Sequence, residues 1–153
     1  MRVFKFGGAS IKDAESIQNV ASIVRRFPND PLVIVISASG KTTNAMEKIM
    51  HAYWNKSADC NDLITERLNF HLKIIRDLKL QGHPVCLDIK NLFDEISRKL
   101  NEPHSDNYSY EYDQIVSIGE LASTKIIAAY LNEKQVKTNW LDARKIIRTD
   151  HHY

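Results

Sequence analysis

The sequence predicts an α/β fold with a mostly parallel sheet, and three consecutive segments carry that prediction. Met1–Phe6 is rich in β-forming side chains and is expected to form a short strand. Apolar residues then recur at steps of three and four from Ile17 to Phe27, which indicates a helix with one apolar face. Leu32–Ile36 is an uninterrupted apolar run, typical of a strand buried on both faces of a parallel sheet. Strand, helix and strand in this order form a βαβ unit.

Local signals mark the two ends of this first helix. Ser10 and Asp13 have the S-x-x-D spacing of a capping box, which predicts that the helix begins there. The segment PNDP at positions 28–31 contains two prolines and is expected to end it.

The rest of the chain is predicted to be mostly helical. One helix is expected over about Ala45–Trp54, and two more between Asn61 and Leu100, separated by Gly82 and Pro84. A polar loop, a helix and a strand are then expected, in that order, at Asn101–Asn107, Ile115–Leu131 and Val136–Leu141.

The composition limits the classes of function. The chain has 153 residues, 43% hydrophobic and 26% charged, as expected for one globular domain or part of a larger one. A net charge of +2 is too small to produce the positive surface potential typical of a nucleic-acid-binding protein. No apolar run approaches the length of a membrane span, and no signal peptide is evident. Cys60 and Cys86 lack C-x-x-C spacing, so free thiols in a reducing cytoplasm are expected.

The first candidate site follows the first strand, at Lys5-Phe6-Gly7-Gly8-Ala9-Ser10. Paired glycines at the end of a strand let backbone N–H groups approach an anion closely. The N-terminus of the next helix would favour negative charge at the same place, and Lys5 adds a positive charge. These residues alone leave a second interpretation open, a tight turn beside a lysine that extends into solvent.

The second candidate site follows the second strand, at SASGKTTN, residues 37–44. Its GKT resembles the end of a P-loop, but Val35 stands where that motif needs its first glycine. What remains is a small, hydroxyl-rich loop at the carboxyl end of a strand, where open α/β sheets place ligands. A polar loop that only caps the next helix is the alternative.

The third candidate is SIGELAST, residues 117–124. Glu120 shares a helical face with Val116, Ser123 and Ile127, so its carboxylate needs a cation or several donors. Gly119 lowers helix stability by roughly 1 kcal/mol relative to alanine, which suggests that another group approaches it closely. The alternative is an exposed glutamate near a helix end.

Together, these segments resemble motifs of the aspartate kinase family, within the amino-acid kinase superfamily. KFGGAS resembles the family's K-F-G-G-T-S, although Ala9 replaces the threonine and loses its hydroxyl. SASGKTTN resembles its second loop, SIGELAS its S-x-G-E-x-x-S helix, and DARKIIRTD at 142–150 its D-x-R segment. The resemblance implies a three-layer α/β/α sandwich of the carbamate-kinase-like type, incomplete in this chain.

The resemblance also implies a reaction and a role for each motif. ATP would phosphorylate the side-chain carboxylate of L-aspartate to 4-phospho-L-aspartate, with Mg²⁺, as the first step toward lysine, methionine and threonine. Lys5 would contact the transferring phosphoryl group. The residues implied in nucleotide binding are Lys5, Phe6, Gly7, Gly8 and Ser10; those implied in aspartate binding are Ser37, Thr43 and Glu120. No metal ligand is implied among these residues.

By the same resemblance, residues 1–153 correspond to the N-terminal, aspartate-binding portion of the kinase domain. The rest of that domain and the ACT regulatory domains would be absent, so the chain alone is expected to be inactive or very weakly active. Homo-oligomers would form through the absent regions. The alternative hypothesis is a non-catalytic α/β module that binds a small acid.

Overall fold

The parallel strands and the helix between them confirm the predicted βαβ unit. The structure is a computed structural model and describes residues 1–103 and 105–147. Strand β1 (Arg2–Phe6) pairs in parallel with strand β2 (Leu32–Ile36), with Phe6 opposite Ile36. Helix α1 (Ala14–Val24) connects them.

Helices form most of the remaining described chain. In chain order they are α2 (Thr42–Trp54), α3 (Cys60–Asp77), α4 (Val85–Lys99), α5 (Tyr108–Val116) and α6 (Ile118–Glu133). Two 3₁₀ helices, Gly8–Ile11 and Ala143–Lys145, lie near the ends. The helices predicted over 45–54 and within 61–100 are confirmed. The single helix predicted over 115–131 is two helices, which meet at Ser117.

The strand predicted over Val136–Leu141 is wrong, because this segment joins no ladder in the part of the chain described. Side chains hold it against α6 instead. Asn132 accepts from the Thr138 amide and donates to the Thr138 carbonyl, both at 2.9 Å, and Trp140 donates to the Thr124 hydroxyl at 2.9 Å. Side-chain bonds of this kind compete with strand pairing for the same backbone groups.

The capping box predicted at Ser10 and Asp13 is also wrong. Ser10 lies inside the 3₁₀ helix, and Asp13 is itself the N-cap of α1, with its carboxylate accepting from the Ser16 amide at 2.8 Å. Because of the additional 3₁₀ helix, α1 begins three residues later than expected. Asp13, which was expected at the third position of the helix, is therefore its N-cap.

The sheet has one covered face and one exposed face. Ile34 and Ile36 pack against the helical core, whereas Val3, Val33 and Val35 are 61%, 44% and 46% exposed. The prediction that the second strand is buried on both faces is therefore wrong for the described residues. These helices pack against one face only, and the other face forms a small apolar patch. Among the described helices, none is long and apolar enough to cross a membrane.

A histidine lies in the core of the helical layer. His71 on α3 is completely buried, with its ring 5.5 Å from that of Phe93. Its Nδ1 lies 2.9 Å from the Arg67 carbonyl oxygen, which can only accept, so Nδ1 carries the proton. The Nε2 atom has no hydrogen-bond partner in the described chain. Burial, reinforced by repulsion from the Arg67 charge, lowers the pKa of His71 to about 4.

We expect His71 to make folding sensitive to mild acid. Because the pKa is lower in the folded state, the unfolded chain binds the proton first as the pH falls through 6.5. The free energy of unfolding should therefore drop between pH 6.5 and 4, by about 3 kcal/mol from this residue. Urea titrations across this range check it: His71→Leu should flatten the profile, and the exposed His51→Gln should not. Equal profiles for the wild type and His71→Leu would contradict the assignment.

Candidate functional site

The two glycine-containing loops meet at the carboxyl ends of the strands. The Ser37 amide donates to the Phe6 carbonyl at 3.2 Å, and the Gly40 amide donates to the Gly8 carbonyl at 2.9 Å. A Cβ on Gly8 would lie 2.6 Å from the Ala38 carbonyl oxygen and 2.9 Å from that of Gly40. Only glycine lets the backbones come this close, so the predicted sites at 5–10 and 37–44 form one continuous surface.

The predicted phosphate-binding residues divide into accessible and structural groups. Lys5 is exposed, and Ser10 is exposed in the 3₁₀ helix. Gly7 faces open space, with no atom within 4 Å of the position of a Cβ. Phe6 packs its ring against the core and contributes its carbonyl to the loop contact, which makes its position structural.

The first helical element after the strand is the 3₁₀ helix, which begins at Gly8, and not the α-helix that was expected there. The 3₁₀ helix Gly8–Ile11 separates the glycines from α1, and the Asp13 carboxylate caps α1. That carboxylate takes the place that an anion would otherwise occupy. Lys5 and the half-buried backbone at Gly7 are therefore available to an anion on this side, and the exposed Lys12, whose Cβ lies 3.7 Å from where a Cβ of Gly40 would be, is a further positive charge nearby.

Buried hydroxyl groups hold the second loop in place. The Thr42 hydroxyl donates to the Ser39 carbonyl at 2.5 Å, and the Ser39 amide donates to the Ser123 hydroxyl at 2.8 Å. Ser123 in turn donates to the Gly119 carbonyl at 2.9 Å. Ser37 and Thr43 are only half-buried, so they are the hydroxyl residues of this loop nearest to solvent.

Gly119 brings the beginning of α6 against this loop. A Cβ at this position would lie 2.9 Å from the Thr42 methyl carbon and 3.3 Å from Cγ of Met46. The predicted close approach to Gly119 is therefore confirmed, and the group that approaches is a threonine methyl. The contact holds the first turn of α6, which carries Glu120, beside the loop.

Glu120 is half-buried in that turn. Burial raises the pKa of its carboxyl group, while the backbone amides of Glu120 and Ala38 act in the opposite direction. No ion pair to Glu120 is present in the described chain, in contrast to Glu111, which lies 2.8 Å from Lys99. A half-buried carboxylate without a cation is suited to bind an ammonium group.

The charges of the D-x-R motif pair with each other. Arg144 donates from Nε to Oδ1 of Asp142 at 3.0 Å and from Nη2 to Oδ2 at 2.8 Å. Asp142 also caps the second 3₁₀ helix through the Arg144 amide. The last three residues of the motif, 148–150, lie outside the described residues.

Sequence analysis missed the inner residues of this site. Ser39, Thr42 and Ser123 lie within the motifs but had no predicted role, because the sequence does not show that they are buried. Arg67 on α3 was missed as well. Its Nη1 atom lies 3.4 Å from the Thr42 hydroxyl oxygen, but the residues around it in the sequence are those of an ordinary exposed helix. Residues 1–103 and 105–147 contain no cluster of three or more side chains that could hold a metal ion.

Comparisons with known proteins agree on one family. The model of the amino acid kinase family matches residues 1–152. Aspartokinase 1, chloroplastic, from Arabidopsis thaliana is 34% identical over 154 residues, which cover 97% of this chain and 26% of the relative. Lysine-sensitive aspartokinase 3 from Escherichia coli K12 is 28% identical over 148 residues, which cover 97% of this chain and 32% of the relative.

Solved structures show the same fold. E. coli aspartokinase III in complex with aspartate and ADP, in its R state, has a TM-score of 0.85 at 27% identity, covering 99% of this chain and 33% of that one. The T-state structure of the same protein, with lysine and aspartate, has a TM-score of 0.84 at 28% identity. The match covers 97% of this chain and 33% of that one. The α/β fold class is confirmed, and the chain spans about a quarter to a third of the length of these relatives.

Proposed function

The chain belongs to the amino acid kinase family, and from that premise we propose that it is the N-terminal, aspartate-binding part of an aspartate kinase. The reaction proposed is transfer of the γ-phosphoryl group of ATP to the side-chain carboxylate of L-aspartate, giving 4-phospho-L-aspartate and ADP. The relatives cited above are named aspartokinases, and one solved neighbour holds aspartate and ADP.

One observation carries the proposal: the two loops and the first turn of α6 meet at the carboxyl ends of two parallel strands. Lys5 and Gly7 belong to the first of these segments, Ser37 and Thr43 to the second, and Glu120 to the first turn of α6. A positive side chain with exposed backbone suits a phosphoryl group. The Glu120 carboxylate, beside the Ala38 amide of the second loop, suits the ammonium group of an amino acid, and the hydroxyl groups of that loop suit its carboxylate.

The chemistry needs few groups from the protein. The attacking carboxylate is already ionised near neutral pH, so it needs no general base. A bond forms between a carboxylate oxygen and the γ-phosphorus, the bond from that phosphorus to the bridging oxygen breaks, and ADP leaves with the electron pair. Lys5 would neutralise charge on the transferring group. Glu120 would bind the substrate's ammonium group, and Thr43 and Ser37 would donate to a carboxylate.

Magnesium enters this proposal with ATP. Since the described residues offer no cluster of metal ligands, they do not by themselves fit a resident Mg²⁺ ion. Mg²⁺ in nucleotide sites is commonly held by the substrate phosphates with one or two carboxylates.

The domain assignment rests on length and on the exposed sheet face. Residues 1–153 cover about a third of E. coli aspartokinase III, and the apolar face at Val3, Val33 and Val35 suits a further layer of the same domain. The rest of the kinase domain and the ACT domains would come from chain beyond this sequence. A cytoplasmic location and homo-oligomers stay predictions.

A coupled assay of ADP release tests the proposal. The complete protein should release ADP with L-aspartate and Mg²⁺-ATP, and much more slowly with L-glutamate. The 153-residue chain alone should release almost none. Family-like turnover from the short chain would contradict the domain assignment. Aspartate binding without ADP release from the complete protein would favour the non-catalytic binding module.

A further inference from the structure

The side chain of Arg67, on α3, contacts the second loop. Its Nη1 atom lies 3.4 Å from the Thr42 hydroxyl oxygen, a long hydrogen bond. Its guanidinium carbon is 4.5 Å from the centre of the Phe70 ring. The edge of that ring is 3.6 Å from where a Cβ of Gly40 would lie. Arg67 and Phe70 together therefore support the backbone of the loop at Gly40 and Thr42.

The Arg67 guanidinium makes no ion pair within 4 Å in the described chain, although the charge of Glu66 acts on it from a longer distance. The Arg67 Nε atom is buried and has no hydrogen-bond partner among the described residues. Burial lowers the pKa of Arg67, which reflects the cost of keeping this charge away from water. A half-buried guanidinium without an ion pair reduces stability, and the contact with the Phe70 ring offsets only part of that cost.

Thr42 connects Arg67 to the rest of the loop through hydrogen bonds. Its hydroxyl donates its hydrogen to the Ser39 carbonyl at 2.5 Å, which leaves its oxygen free to accept from Arg67. Its methyl group fills the space beside Gly119. The rotamer of Thr42 therefore fixes Ser39 on one side and the first turn of α6 on the other.

We propose that Arg67 is a positioning residue for the acidic substrate, acting through Thr42 on the loop between Ser37 and Thr43. The proposal rests on the proposed function, because that loop would receive the carboxylate of aspartate. Arg67 fixes the loop hydroxyls in their binding arrangement, and its charge adds a positive potential behind them. Arg67 thus lowers the stability of the folded protein and in exchange improves the binding of the substrate.

Kinetics of Arg67 variants in the complete protein separate this role from a structural one. Arg67→Met should raise KM for aspartate about tenfold, with KM for ATP changed by less than about twofold. Its thermal midpoint should stay the same or rise, since an unpaired buried charge is removed. Arg67→Lys, which keeps the charge, should recover part of the aspartate affinity. Arg76→Met, an exposed arginine on the same helix, is the matched control and should change nothing.

A double-mutant cycle tests the path through Thr42. Thr42→Val should raise KM for aspartate in the same way, and the Thr42→Val, Arg67→Met double variant should be no worse than the single variants. Fully additive effects would overturn the proposal. So would an unchanged KM for aspartate in Arg67→Met, or a lowered thermal midpoint with both KM values raised alike.

Hydrogen exchange without substrate keeps this test independent of the proposed function. The Ser39, Gly40 and Thr42 amides are hydrogen-bonded in the loop, to Ser123, Gly8 and Ser39 respectively. In Arg67→Met they should exchange about tenfold faster, while amides of α4 keep their rates. Unchanged exchange would overturn the positioning role. Faster exchange in a protein that does not phosphorylate aspartate would instead reject the proposed function and keep the role of Arg67 in the loop.

Discussion

Lys5→Ala should lower turnover of the complete protein by roughly a thousandfold, the largest effect expected of any single side chain here. Lys5 is exposed beside the open backbone at Gly7. The N-terminus of α1 is capped by the Asp13 carboxylate. The transferring phosphoryl group would therefore lose the charge of Lys5, the one lysine within residues 5–10. Stopped assays of ADP release at saturating aspartate measure the change.

Aspartate binding should hardly change in Lys5→Ala, because the proposed contacts to aspartate come from the second loop and α6. Calorimetry with L-aspartate checks this directly. Lys41→Ala is the matched comparison, since Lys41 is the lysine of the P-loop-like GKT and is also exposed. It should lower turnover by less than about tenfold. If Lys41→Ala were the inactive variant and Lys5→Ala the active one, the phosphate role would belong to the second loop.

Glu120→Ala should weaken aspartate binding by about a hundredfold, by removing the proposed partner of the substrate's ammonium group. Glu120→Gln keeps the size of the side chain and should lose nearly as much, because the charge is what binds. Calorimetry on the complete protein measures both variants. Unchanged affinity in both would remove Glu120 from the substrate site.

The same carboxylate should make aspartate binding depend on pH. Burial raises the pKa of Glu120, and only its ionised form binds an ammonium group. Aspartate affinity should therefore fall as the pH drops through this raised pKa, and Glu120→Gln should remove that dependence. A carboxyl group whose pKa is raised on folding contributes its stability at low pH and loses it as the pH rises. Glu120→Gln should then be no less stable than the wild type at neutral pH.

The site was predictable where local sequence alone fixes the geometry. Two glycines after a strand predicted a close backbone approach to an anion; Gly8 makes its close approach to carbonyl groups of the second loop, while Gly7 faces open space. A glycine beside a glutamate in a helix predicted a close neighbour at Gly119, and Thr42 is that neighbour. The parallel strands followed from the order of apolar segments.

The remaining features depend on contacts between distant residues. The segment Val136–Leu141 has the composition of a strand, but Asn132 and Thr124 hold it against α6. Leu32–Ile36 is apolar on both faces, yet no local signal shows which face the helices cover. Arg67 resembles a surface arginine until the packing places it under the loop. In each case tertiary contacts outweigh the local pattern.

Trapping the reaction product with hydroxylamine tests the central claim most directly. An acyl phosphate reacts with hydroxylamine to give a hydroxamate, so the complete protein with ATP, Mg²⁺ and L-aspartate should yield the hydroxamate of the aspartate side chain. Mass spectrometry with aspartate labelled at its side-chain carboxyl carbon identifies which carboxyl group reacted. Formation of that hydroxamate, with ADP in equal amount, is the expected result. ADP without hydroxamate, or a hydroxamate of another acid in preference to aspartate, would contradict an aspartate kinase.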